Sequence, residues 1–245
     1  MSLTIPSADT PLAEETVQAL AKLLRQRLAA PAARRVCYRR FSPELCYGRH
    51  RGPAGPDARP AAVVALLYPA RGQWQLPLIL RPGSMSEHAG QISLPGGGGE
   101  PGELPQACAL RELHEELGVD PAIVRLLGAL PPIHVYASNF LVHPFVAITP
   151  QRPTFQPDAR EVAELLEVPI AHLLNEQNHA THTIVRGHLS FRAPCITFQG
   201  RHIWGATALI LGEWFDVLEG LQRDGRCDRA EICPVGSSLA ARREG

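Results

Sequence analysis

The sequence predicts a mixed α/β (α+β) fold in which short apolar strands alternate with amphipathic helices. Two segments of strand length, AAVVALLYP (61–69) and WQLPLILR (74–81), are separated by a turn at Arg71-Gly72. Apolar residues then recur at helical spacing in PQACALRELHEEL (105–117) and again in 206–221. Because these elements are interleaved along the chain, we expect one sheet that packs against helices.

The other elements follow from the same periodicities. Residues 12–29 predict an amphipathic helix, and the Pro-, Arg- and Gly-rich stretch 30–60 predicts an irregular connection. Further predictions, in chain order, are strands at 123–130 and 140–148, a segment 160–174 that ends helical, and a hairpin 188–205 about Gln199-Gly200. Three regions result: an extension (1–60), a main domain (61–222) and a polar tail (223–245). Whether the first helix packs on the domain or in a homodimer stays open.

Composition excludes several classes of partner. The 245 residues contain 24 Lys+Arg and 24 Asp+Glu, and this balance favours neither nucleic acid nor a membrane surface. The six cysteines form no C-x-x-C pair, which argues against a zinc site or a disulfide framework. The motif His179-x-x-His182 is expected to lie in a surface loop. With no signal peptide and no long apolar run in the sequence, we expect a reducing, cytoplasmic setting.

The most informative stretch is LPGGGGEPGELPQACALRELHEELGV (94–119), where a glycine run precedes an acidic helix. The segment GGGEPG (97–102) formally matches the dinucleotide motif G-x-G-x-x-G, but the last glycine does not open a helix as that motif requires. A P-loop is excluded because no Gly-Lys-Ser/Thr follows. The glycines therefore do not predict a phosphate-binding loop of either kind.

The acids of this helix predict a metal site. With Pro105 at the first helical position and Gly118 just past the end, Glu112, Glu115 and Glu116 project within an arc of about 100°. Carboxylates at this spacing repel one another, and no lysine is interleaved among them. A solvated acidic face leaves this arrangement unexplained. Hard divalent cations such as Mg²⁺, which bind oxygen ligands and phosphates together, explain it.

Spacing then identifies a family. Gly97, Glu103 and the run RELHEELGV (111–119) occupy every fixed position of the pattern G-x5-E-x7-R-E-U-x-E-E-x-G-U, in which U is aliphatic. This pattern is that of the Nudix box, so the chain resembles the Nudix hydrolases. The resemblance implies the Nudix fold, a mixed β-sheet sandwiched between α-helices, over the main domain. It also implies hydrolysis of a nucleoside diphosphate linked to another group.

The resemblance also implies roles for individual residues. Glu112 and Glu116 would be the chief ligands of Mg²⁺ or Mn²⁺, and Glu115 would assist directly or through water. The Gly96 carbonyl would join them, while Glu103 and Arg111 would pair to brace the loop against the helix. Gly97 and Gly118 would be structural. The general base varies in the family, and the candidates here are Glu116, Glu115, Glu161 and Glu164.

A second resemblance concerns the substrate. The segment LILRPGSMSEHAGQISLPGG (78–97) is similar to the signature of the coenzyme A pyrophosphatase branch, with Arg81 and His88 in register. Ile79 and Pro82 depart from that signature. The segments EVAELLEVPIAHLL (161–174) and HIWGATALIL (202–211) also resemble this branch. The implied products are 3′-phosphoadenosine 5′-phosphate and 4′-phosphopantetheine.

Several substrate questions stay open at the level of sequence. Arg81 and His88 either bind the 3′-phosphate of coenzyme A or brace the glycine loop, and Trp204 either stacks on adenine or packs in the core. Another small nucleotide substrate, such as ADP-ribose or NADH, would use the same chemistry. A regulatory domain that binds a nucleotide without hydrolysing it is a further alternative.

Overall fold

The structure is a computed structural model that describes residues 12–30, 40–42, 54–83, 90–186 and 188–225. Its strands are β1 (Arg59–Ala70), β2 (Gln73–Leu80), β3 (Ile92–Ser93), β4 (Gly96–Gly98), β5 (Arg125–Ala129), β6 (Ile133–Val135), β7 (Phe140–Ile148), β8 (Glu164–Pro169), β9 (His179–Arg186), β10 (Leu189–Phe198) and β11 (Arg201–Trp204). Its helices are α1 (Glu14–Ala29), α2 (Pro105–Leu117), α3 (Ile170–Leu174) and α4 (Gly205–Arg223).

Strand β1 organises the main sheet. On one side it pairs in parallel with β7, and on the other it pairs antiparallel with β4 near its start and with β2 at its end. Among the described residues this sheet has eight strands, in the order β3-β2-β1-β7-β5, with β4 on β1, β6 on β7 and β8 on β2. A smaller antiparallel sheet has the order β11-β10-β9.

Alternation along β1 places helices on both faces of the sheet. Ala62, Val64 and Leu66 lie in the apolar cluster with Leu113 and Leu117 of α2. Their neighbours in β1 face the other way, into a cluster with α1 and α4, because successive strand side chains point to opposite faces. The predicted mixed sheet between helices is confirmed.

Most of the longer predicted elements are present. The helices expected at 12–29, 105–117 and 206–221 correspond to α1, α2 and α4. The hairpin about Gln199-Gly200 is formed by β10 and β11, and both turn residues have positive φ. The very short strands β3, β4 and β6 were not expected. None of the helices in the described ranges combines the length and apolar character needed to cross a membrane.

The expectation that His179 and His182 lie in a surface loop is wrong. Both residues belong to β9, which pairs with β10. The His179 ring stacks on Phe215 of α4, with centroids 6.2 Å apart, and its Nε2 lies 2.8 Å from the carbonyl of Leu173. Cys108 and Cys195 are buried free thiols, and the other four cysteines lie outside the described residues.

Helix α1 packs on the main domain. Its buried residues Val17, Leu20, Leu24 and Leu28 belong to the cluster that contains α4 and one face of the sheet. Contact with β5 is close, because a Cβ placed at Gly128 would meet Leu28. Of the two alternatives for this helix, the structure shows the first, and the extension therefore contributes part of the core.

This packing predicts a large stability effect far from the acidic helix. Leu24→Ala is expected to lower the free energy of unfolding by about 2–5 kcal/mol, because Leu24 has no exposed surface and its removal leaves a cavity. Urea unfolding followed by circular dichroism measures this change. Arg25→Ala, on the exposed side of the same helix, is the matched control. Equal stability of the two variants would show that α1 does not share the core.

Candidate metal centre and adjoining cavity

Helix α2 presents its acids at one end of the sheet. Pro105 occupies the first turn, and Gly118 ends the helix with φ of 68°, its N–H donating to the carbonyl of His114 at 2.8 Å. Leu113 and Leu117 are buried against β1, which leaves the acidic residues of the helix to face the glycine strand β4 and the loop before β8. The helix ends as the sequence predicts.

Three carboxylates converge beside this helix. One oxygen from each of Glu112, Glu116 and Glu161 lies within 4.8 Å of the other two. Glu161 reaches the group from a turn in which its N–H donates to the carbonyl of Asp158, and the N–H of Asp158 donates to the carbonyl of Glu116. These bonds attach the turn to the end of α2, so the cluster is held from two elements.

Glu116 is the most buried member, with 1% of its side chain exposed. Its Oε2 accepts a hydrogen bond from the N–H of Gly96 at 2.8 Å, whereas its buried Oε1 accepts none from the described residues. Burial raises the pKa of Glu116 to about 8, against the opposing effects of the Gly96 N–H and Arg81. A neighbouring cation would stabilise the negative charge of this buried carboxylate. The three carboxylates offer only oxygen ligands, which hard divalent ions prefer.

Glu112 is held against the glycine strand. Burial raises its pKa, although Arg111 donates to Glu112 Oε1 at 2.8 Å and opposes this shift. A Cβ built at Gly97 would overlap the Glu112 carboxylate. Glycine at this position therefore lets the strand and the carboxylate approach each other closely. Gly96 lies beside the cluster through its bond to Glu116.

Arg111 is the centre of a second network. Its Nε and Nη2 each donate to one oxygen of Glu103 at 2.9 Å, and Nη2 also donates to the carbonyl of Gly98 at 3.0 Å. This pairing lowers the pKa of Glu103 to about 2. Arg111 thus ties the loop after β4 to α2, the arrangement expected of a brace. Glu103 is occupied by this pair.

Two predicted acids lie outside the carboxylate cluster. Glu115, expected to be a ligand, has half of its side chain exposed and accepts from Arg111 Nη1 at 2.8 Å. Glu164, a candidate base, is paired with both Nη atoms of Arg201 at 2.9 and 2.7 Å. Glu164 is thus paired with Arg201 outside the cluster, whereas Glu115 shares Arg111 Nη1 with Glu112 and lies next to it. Glu161 is the candidate base that the fold brings to Glu112 and Glu116, and His88 lies outside the described residues.

A cavity of about 420 Å³ adjoins the cluster across β4. Its lining is mostly apolar and includes Val63, Phe140, Trp204 and Ile210, with Arg81 at the side of the acids. Because β4 consists of Gly96, Gly97 and Gly98, no side chain of that strand separates the cavity from the carboxylates. Trp204 is half-buried and lines this space, whereas core packing was the competing expectation.

Comparison with known proteins gives a consistent family. Residues 58–186 match the model of the NUDIX domain. A protein of Enterobacter sp. (strain 638) described as an uncharacterized Nudix hydrolase NudL is 35% identical over 159 residues, which cover 64% of this chain and 81% of that protein. Its counterpart in Yersinia enterocolitica is 33% identical over 151 residues, covering 61% and 77%. A solved Nudix hydrolase from M. smegmatis, RenU, is 17% identical, covers 68% of this chain and 87% of its own, and has a TM-score of 0.43.

Proposed function

The chain belongs to the Nudix family, and from that premise we propose that it hydrolyses the diphosphate bond of coenzyme A or its acyl derivatives. The observation that carries the hydrolytic part is the group Glu112, Glu116 and Glu161, in which buried Glu116 has an unsatisfied carboxylate oxygen, and which adjoins a ligand-sized cavity. The coenzyme A part rests on Arg81 and on the resemblance of its segment to that branch.

We assign the divalent cation, Mg²⁺ or Mn²⁺, to Glu112, Glu116 and Glu161, with the Gly96 carbonyl as a further ligand. A cation held there would neutralise charge on the diphosphate oxygens as the bond breaks. Arg111 orients Glu112 by a hydrogen bond to its Oε1, and the Gly96 N–H orients Glu116. Glu115, which bonds the same Arg111 Nη1 as Glu112, would assist directly or through water.

A carboxylate of this group is also the proposed general base. Glu161 is the best placed of the candidates, because it lies beside Glu112 and Glu116 and is only half-buried. Glu116 is the alternative, because it belongs to the same group of carboxylates. In either role the carboxylate takes a proton from the attacking water.

The cavity is the proposed site for the part of the substrate beyond the diphosphate. Trp204 and Phe140 offer apolar and aromatic surface to the adenine ring or the pantetheine chain. The guanidinium of Arg81, which lies in the cavity lining, suits the 3′-phosphate. A cytoplasmic setting and the absence of nucleic acid and membrane partners remain predictions, as does a homodimer.

Product analysis over a panel of diphosphates tests the proposal. Coenzyme A, dephospho-coenzyme A, ADP-ribose and NADH are incubated with the protein and Mg²⁺ or Mn²⁺. We expect coenzyme A to give 3′-phosphoadenosine 5′-phosphate and 4′-phosphopantetheine, and to have a kcat/KM about tenfold or more above that of dephospho-coenzyme A. Arg81→Ala is expected to remove that difference.

The same panel distinguishes the alternatives. A higher kcat/KM for ADP-ribose or NADH would assign a different substrate to the same chemistry. Equal kcat/KM for coenzyme A and dephospho-coenzyme A would show that the 3′-phosphate is not read. Binding without metal-dependent turnover of any member would identify a regulatory domain.

A further inference from the structure

Arg81 lies between the carboxylate cluster and the cavity. Its Nη1 is 3.5 Å from Glu116 Oε1, and the same side chain forms part of the cavity wall. The backbone of Arg81 is anchored to the neighbouring segment, because its N–H donates to the carbonyl of Gln91 and its carbonyl accepts from Gly90. The backbone of Arg81 is thus fixed, and its side chain lies next to both Glu116 and the cavity.

The ion pair with Glu116 leaves both partners incomplete. Arg81 Nε and Glu116 Oε1 are buried and form no hydrogen bond with the described residues. Their closest ion-pair contact, at 3.5 Å, is longer than the usual 2.7–2.9 Å of a charge-assisted hydrogen bond. Buried polar groups without partners cost free energy, and they commonly mark a site where a ligand completes the set.

The cavity wall includes a residue with a third atom of this kind. Ser93 lines the cavity, and its Oγ is buried and has no hydrogen-bond partner in the described part of the chain. Ser93 of β3 pairs with Ile79 of β2. Arg81 follows Ile79 by two residues and lies just past the end of β2. The Ser93 hydroxyl and the Arg81 guanidinium can both donate hydrogen bonds to an anionic oxygen, such as that of a phosphate group.

A cation at Glu116 would conflict with the present position of Arg81. Two positive charges on the same buried carboxylate repel each other strongly, because little water screens them. We propose that Arg81 exchanges partners: it binds Glu116 while the cluster holds no cation, and it binds an anionic group beside Ser93 once a cation occupies the cluster. This inference rests on the proposed function in one respect, the cation site at Glu116.

The exchange makes cation and anion binding cooperative. Binding of the cation releases the guanidinium for the cavity, and an anion in the cavity withdraws the guanidinium from Glu116. Each ligand must then raise the affinity for the other by the same factor. The exchange therefore favours the state in which metal and phosphate-bearing substrate are bound at the same time.

Isothermal titration with Mg²⁺ measures this coupling without turnover. Wild-type protein is titrated alone, with saturating inorganic phosphate, and with saturating 3′-phosphoadenosine 5′-phosphate, and blank titrations correct for complexes in solution. We expect at least one anion to lower the Mg²⁺ Kd on the order of tenfold. In Arg81→Gln, the Mg²⁺ Kd without anion is expected to fall severalfold, and the anion effect is expected to vanish.

Two further variants make the experiment specific. Arg125→Gln removes an exposed arginine on β5 and is expected to behave as wild type. Ser93→Ala is expected to weaken the anion effect while leaving the Mg²⁺ Kd without anion unchanged, and it tests the idea if Arg81→Gln does not fold. Absence of coupling in the wild type with both anions, or full coupling in Arg81→Gln, overturns the exchange.

The proposed function has a separate readout in the same titrations. Glu116→Gln is expected to weaken Mg²⁺ binding by a large factor. Unchanged Mg²⁺ affinity in that variant would show that Mg²⁺ does not bind at Glu116. Loss of coupling with an intact cation site would instead reject only the exchange by Arg81.

Discussion

Replacing Glu116 with glutamine is expected to lower kcat on the order of a thousandfold, equivalent to about 4 kcal/mol of transition-state stabilisation. Glutamine retains the size of the side chain, and its amide oxygen can accept the hydrogen bond from Gly96. The negative charge at the centre of the cluster is lost, and with it the attraction for a cation. Steady-state kinetics at saturating Mg²⁺ and substrate measure the effect.

The same substitution is expected to stabilise the protein in the absence of metal. Burial raises the pKa of Glu116 from 4.5 to about 8, so the folded state binds more protons than the unfolded state between these pH values. The stability of metal-free wild type therefore falls as pH rises through this window and levels off above it. Glu116→Gln lacks this contribution and should be the more stable protein above pH 8, by a few kcal/mol.

Thermal melts with a chelator over this pH range check the prediction. Wild type and variant should have similar midpoints near pH 4.5 and diverge towards pH 8. Near-wild-type turnover in Glu116→Gln would show that Glu116 has no role in the reaction. A variant with the pH slope of wild type would assign that slope to Glu112, whose pKa burial also raises.

The second large effect is expected at Gly97. A methyl group there would overlap the Glu112 carboxylate, which is the free end of a flexible side chain. The carboxylate can move away at low cost in stability, but it then leaves its place in the cluster. Since misplacement of a reacting group by about 1 Å costs on the order of a hundredfold, Gly97→Ala is expected to lower kcat/KM by that factor.

Gly99→Ala is the matched control for this substitution. A Cβ at Gly99 would make ordinary contacts of 3.6 Å with Pro60 and would not reach the acids. We expect both variants to melt within a few degrees of wild type and only Gly97→Ala to lose activity. Equal activity of the two variants would show that the position of Glu112 is not critical.

The sequence predicts the fold and part of the site because both depend on local patterns. Helical spacing defines α2, and Gly118 supplies the left-handed residue that ends it. The resemblance to the Nudix box implies the pairing of Glu103 with Arg111, and the structure contains this ion pair. These features lie within one loop and one helix, so no knowledge of distant contacts is needed.

The grouping of the carboxylates could not be predicted in full. Projection along the helix places Glu115 with Glu112 and Glu116, but the Glu115 side chain is half exposed and meets Glu112 only at Arg111 Nη1, which the two acids share. Glu161 enters through a turn that is hydrogen-bonded to the end of α2. Sequence ranked Glu161 and Glu164 equally, and the decisive difference is Arg201 of β11, a long-range partner that occupies Glu164.

Other differences also arise from long-range pairing. Strands β3, β4 and β6 have only two or three residues each and exist because β1, β2 and β7 offer partners. Strand β9, with the sequence HATHTIVR, lacks clear alternation and is held by β10. Trp204 faces the cavity because it lies where β11 meets the start of α4.

The all-glycine strand β4 has a consequence for how such an enzyme can diversify. The acids come from α2 and the turn at Glu161, whereas much of the cavity wall comes from β7, β11 and α4. In the proposed function, reaction and recognition are thus encoded in different segments that meet across the glycine backbone of β4. Substitutions at Phe140 or Trp204 can then alter which substrate binds while the acidic residues stay unchanged. The substrate range can therefore change in evolution without a change in the reaction.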